Sequence, residues 1–86
     1  MLLEQFPPEE LRKLLKQTLT IIIDFYSFYY AKQKELPTIE ELVAVLMYEL
    51  RLDKETVYEL LELLNHKGII LWDGKKYQVN YSILME

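Results

Sequence analysis

Lys67-Gly68-Ile69-Ile70-Leu71-Trp72-Asp73-Gly74-Lys75-Lys76-Tyr77-Gln78-Val79 is the stretch where the apolar residues change their period. Before it they recur every three or four positions, the spacing of one helix face. Within it they alternate, the spacing of one face of a strand. Asp73-Gly74 stands midway and reads as the turn of a β-hairpin. A loop of even length puts Ile70, Trp72, Tyr77 and Val79 on one face. An odd loop would set lysine and glutamine opposite the tryptophan, so the even register is expected.

Working back from Gly68, Asn65-His66-Lys67 closes a helix with a cation at its negative end and a glycine for the left-handed stop. That helix covers about 53–66, with Asp53 as N-cap and Val57, Leu60, Leu61 and Leu64 as inward stripe. A tight corner at Arg51-Leu52 separates it from a helix of about 38–50. The latter opens on the capping box Thr38-Ile39-Glu40-Glu41. A longer helix, about 8–34, precedes Leu36-Pro37 and begins at Pro7-Pro8-Glu9-Glu10, where proline and glutamate suit a first turn. For the tail 80–86 two readings stay open: an added strand, or Ile83 and Leu84 packing back on the core.

The expectation is one domain over residues 1–86, mainly α with a small β-hairpin: three helices, then a hairpin over about 69–80. Half the residues are hydrophobic (51%) and only two are glycine, a composition that argues against disorder. There is no cysteine, which excludes disulfides and thiolate metal sites and fits a cytoplasmic setting. The N-terminal residues lack the pattern of a signal peptide. The longest apolar run, Leu19 to Ala31, includes Asp24 and falls short of the ~20 residues that cross a bilayer, so a soluble protein without a membrane partner is expected. Abundant Leu, Ile, Glu and Lys with little Asn resembles thermophile usage.

Thr38-Ile39-Glu40-Glu41-Leu42, Leu52-Asp53-Lys54-Glu55-Thr56-Val57, Lys67-Gly68-Ile69-Ile70 and Asp73-Gly74-Lys75-Lys76-Tyr77, in that order, resemble the winged helix-turn-helix superfamily, and its small archaeal and viral members in particular. The resemblance covers residues 37–79. It departs from the commonest bacterial regulators in a second helix about one turn longer. It implies that the third helix enters a major groove while the wing touches the flanking backbone. Lys54, Tyr58, Lys67, Trp72, Lys75 and Lys76 would then meet nucleic acid, in a homodimeric transcriptional regulator.

The charges oppose that use. Residues 38–66 hold Glu40, Glu41, Glu49, Asp53, Glu55, Glu59 and Glu62 against Arg51 and Lys54, in a chain of net charge −4. Glu55, Glu59 and Glu62 fall on the outward side of the third helix, where a groove reader needs cations and amides.

The first helix offers another surface. At 100° per residue its apolar positions sweep more than half the circumference, against the ~100° that one side of a core requires. The surplus, either Ile21, Phe25 and Phe28 or else Ile23 and Tyr30, is expected to meet a protein partner or a second copy, and Tyr29 is counted among the interface residues too. An interaction module is therefore expected, an accessory subunit of a replication or transcription assembly. His66 at a helix end, Ser27 and Ser82 without a base, and the pairs Glu40/Glu41 and Glu59/Glu62 suggest no catalysis. No phosphate loop or ligand cluster calls for a cofactor, a metal or a small-molecule substrate.

Overall fold

The computed structural model describes residues 2–84. A 3₁₀ turn (Leu2–Gln5) leads into α1 (Pro8–Gln33), α2 (Ile39–Leu50) and α3 (Lys54–His66). Then come the strands β1 (Ile70–Trp72) and β2 (Tyr77–Val79) and a closing helical turn, α4 (Tyr81–Leu84). The chain is thus mainly helical with one two-stranded antiparallel sheet, and the expected helix limits hold to within one residue. Among the described residues no helix is long and apolar enough to cross a membrane.

Local chemistry sets each boundary. Pro8 opens α1, and Lys34 ends it in the left-handed region (φ 61°), its N–H donating to the Tyr30 carbonyl. At α2 the capping box is complete: the Thr38 hydroxyl accepts from the Glu41 N–H (3.2 Å) and the Thr38 N–H donates to Glu41 Oε1 (3.1 Å). Asp53 caps α3 by accepting from the Thr56 N–H at 2.9 Å. The corner between α2 and α3 turns on Arg51 at φ 56°. Gly68 (φ 77°) ends α3 with paired bonds, Gly68 N–H to the Asn65 carbonyl and Ile69 N–H to the Leu64 carbonyl. That is the Schellman arrangement, for which glycine is the least strained residue.

The hairpin pairs Ile70 with Val79, Leu71 with Gln78 and Trp72 with Tyr77, so the expected face forms. Its loop is the four residues 73–76, longer than a bare Asp-Gly turn. The Asp73 carboxylate organises it, accepting from the Lys75 and Lys76 N–H groups at 2.8 Å each and from the Gln78 side-chain amide. Among the described residues the tail adds no strand. Asn80 binds the Ile69 carbonyl through its N–H and the Gly68 carbonyl through its side chain, and Ile83 folds over Gly68.

The three longer helices and the hairpin meet at one core. Ile22 and Tyr26 of α1 pack against Leu42 and Leu46 of α2, Val57, Leu61 and Leu64 of α3, and Ile70 and Tyr77 of the hairpin. Tyr26 also donates from its hydroxyl to the Tyr77 main-chain carbonyl at 2.8 Å, a buried bond that ties the longest helix to the sheet. Burial holds this phenol above its ordinary pKa. The 3₁₀ turn, unforeseen in the sequence, buries Leu3 and joins its N–H to Glu59 Oε1 of α3.

Replacing Tyr26 with Phe removes only the hydroxyl, and urea unfolding should show a loss of about 1 kcal/mol or more. Asp53 and Asp73 lie below the usual carboxylate range because side-chain and backbone donors, respectively, hold their charged forms. Stability linked to them is present above the unfolded pKa of about 4 and lost as pH falls through the folded values. Thermal melts should therefore decline at acid pH, and less steeply in Asp53→Asn, which keeps a capping oxygen without titrating.

Candidate functional site

α1 buries one stripe, Thr18, Ile22 and Tyr26, and leaves apolar residues on both of its borders. Thr18 is accommodated because its hydroxyl donates to the Leu14 carbonyl at 2.7 Å. The two borders correspond to the two alternatives open in the sequence, and each has an exposed member. Phe28 is 63% exposed on one border and Tyr30 is 53% exposed on the other. Ile21, Ile23, Phe25 and Tyr29 are half-buried, and Ile21 and Phe25 pack against the core while reaching the surface.

Tyr29 is held more firmly than an interface residue need be. Its hydroxyl donates to Glu41 Oε1 at 3.2 Å, and its ring stands edge-on to Phe25 at 5.7 Å. Glu41 thus serves both the α2 cap and the α1–α2 packing. The Thr38 N–H, the Thr38 hydroxyl and the Tyr29 hydroxyl together hold its carboxyl below the usual range. The hydrogen bond to Glu41 in turn raises the Tyr29 phenol.

Along the seam between α1 and α2 run two adjoining grooves. One is lined by Ile21, Phe25 and Phe28 of α1 with Val45 of α2, and Asp24 and Glu49 make its rim acidic. The other continues past Ile21 to Leu14 and Leu50, with Lys16 and Arg51 beside it. Tyr48, three residues after Val45, is 82% exposed. Sequence reasoning passed over it because it lies off the α2 stripe, although an aromatic at an outward helical position is itself a signal. On the other border Tyr30, Leu36, Val79 and Tyr81 line a separate groove between α1 and the hairpin.

The residues expected to serve nucleic acid are spread over α3 and the hairpin. Lys54 rests its ammonium over the Tyr58 ring at 5.9 Å, beside a groove between α2 and α3. Lys67 caps α3 and Lys75 is exposed in the hairpin loop. The Lys76 ammonium donates to the Leu36 carbonyl, which fastens the hairpin to the α1–α2 connection. Trp72 is 42% exposed and packs on Tyr77 at 4.8 Å. On α3, Glu55 and Glu62 face solvent, whereas Glu59, expected to face outward with them, is half-buried and bound to the Leu3 N–H. The 3₁₀ turn recruits it, an effect no pattern within α3 reveals.

Among the described residues no cluster of histidine, cysteine or carboxylates could hold a metal ion. Compared with models of protein families, with curated proteins and with solved structures, the chain matches none.

The two hairpin lysines should separate on substitution. Lys76→Ala loses a partly buried charged hydrogen bond and should lower stability by about 1 kcal/mol in urea unfolding. Lys75→Ala, exposed through its side chain, should stay within about 0.5 kcal/mol of the parent.

Proposed function

We propose that this chain is a winged helix-turn-helix domain that binds protein, has no catalytic activity of its own, and acts as an accessory subunit of a nucleic-acid-processing assembly. The observation that carries the reading is the apolar groove along the seam between α1 and α2, lined by Ile21, Phe25, Phe28 and Val45, where Phe28 stands 63% exposed. Aromatic side chains supply large contact area with few rotors to immobilise, which is why they dominate protein interfaces. The three-residue corner between α2 and α3, and a hairpin directly after α3, support the winged-helix assignment.

Its third helix, the groove reader in that architecture, carries Glu55 and Glu62 toward solvent. Each phosphate met there would add repulsion where a duplex binder releases counterions. Of the cations around the hairpin, Lys76 is committed within the fold. These features favour a protein partner over a duplex.

A photo-crosslinking residue placed at position 28, and separately at position 58, tests this in the native cell. Adducts to polypeptide from position 28, with no nucleic acid captured at position 58, are the expected result. Nucleic-acid adducts at position 58, or salt-sensitive duplex binding at micromolar protein that Lys75→Ala abolishes, would overturn it.

A further inference from the structure

The α1 border along the seam has a two-fold pattern centred on Ile21. Leu14 and Phe28 lie seven residues to either side of it, a spacing that returns to nearly the same helix face. One turn beyond each, at i±4, stand Glu10 and Lys32, both exposed. The border is therefore apolar along its length and closed by Glu10 at one end and Lys32 at the other. The charges beside the grooves run in the opposite order, with Lys16 and Arg51 at the end nearer Leu14, Asp24 toward Phe28, and Glu49 lining both.

A surface with this arrangement complements itself when turned by half a revolution, which is what a two-fold interface demands. An axis through Ile21 and perpendicular to α1 sets the two α1 helices antiparallel. Leu14 then meets the partner's Phe28, Ile21 meets the partner's Ile21, and Glu10 meets the partner's Lys32. The Lys32 ammonium, resting 4.4 Å from the Phe28 ring centre, already marks the place where the partner's Glu10 arrives. A parallel arrangement would instead bring like ends together, with repulsion at both.

We infer that the occupant of the seam is a second copy of this chain, docked antiparallel through α1 about Ile21. This rests on the reading of the chain as a protein-binding module and names the partner. Tyr30 lies on the opposite border of α1 and takes no part in the contact.

Sedimentation equilibrium of the full chain tests it. The parent should fit a monomer–dimer equilibrium, and Phe28→Asp should weaken it by about tenfold or more. Phe28 is mostly exposed, so circular dichroism should show this variant folded. Glu10→Lys and Lys32→Glu should each weaken the dimer, and the double exchange should restore it, because opposite ends then pair again with signs reversed. Tyr30→Ser should leave it unchanged. A monomer at every concentration, a dimer indifferent to Phe28→Asp, or a double exchange without recovery would each overturn the inference. If the parent is monomeric while position 28 still crosslinks to another polypeptide, only the second copy is excluded and the protein-binding reading stands. If it is monomeric and position 28 captures no polypeptide, both fall.

Discussion

α1 is a helix of 26 residues in a chain of 86, and the remaining residues cannot surround it. Small domains bury a small fraction of their surface, so a long helix within one keeps a face open to water. Two helices and a two-stranded sheet cover the Ile22–Tyr26 stripe, and the borders on either side stay partly exposed. Had those borders been polar, α1 would be an ordinary scaffold helix. Because they carry Phe28 and Tyr30, the same limit on burial leaves large aromatic side chains facing water.

Polar contacts at the ends of elements hold α1 in this position. Tyr26 reaches the Tyr77 carbonyl, Tyr29 reaches the Glu41 carboxylate of the α2 cap, and Lys76 reaches the Leu36 carbonyl. Each joins elements distant in sequence, and each removes a polar side chain from the set available to a partner. Lys76 illustrates how a charge that looks free in one dimension is committed in three, and Glu41, legible as a cap, takes the Tyr29 hydroxyl as well.

The charge distribution acts in the same direction. The acidic residues between 38 and 66 serve partly as caps, as at Glu41 and Asp53, and partly as solvated groups, as at Glu55 and Glu62. Glu59 is neither, since it receives the Leu3 N–H and anchors the 3₁₀ turn beside α3. α3 is thus acidic on its open face and flanked by the N-terminal turn.

The element order and the helix ends were legible in the residues themselves. Thr38, Asp53 and Gly68 act through bonds to atoms within five residues, and the switch from a period of three or four to a period of two marks where α3 gives way to the hairpin. The even register followed from Ile70, Trp72, Tyr77 and Val79 sharing a face. The breadth of the α1 apolar arc was legible too, because it depends on helical geometry alone. Tertiary packing decided which of those residues stay open: Tyr29 was taken up by Glu41, Ile21 and Phe25 were drawn partly into the core, and Phe28 was left out. Only packing revealed the 3₁₀ turn on α3. Local bonds and periodicity are written along the chain, whereas exposure depends on which distant elements arrive, and no spacing within one helix records that.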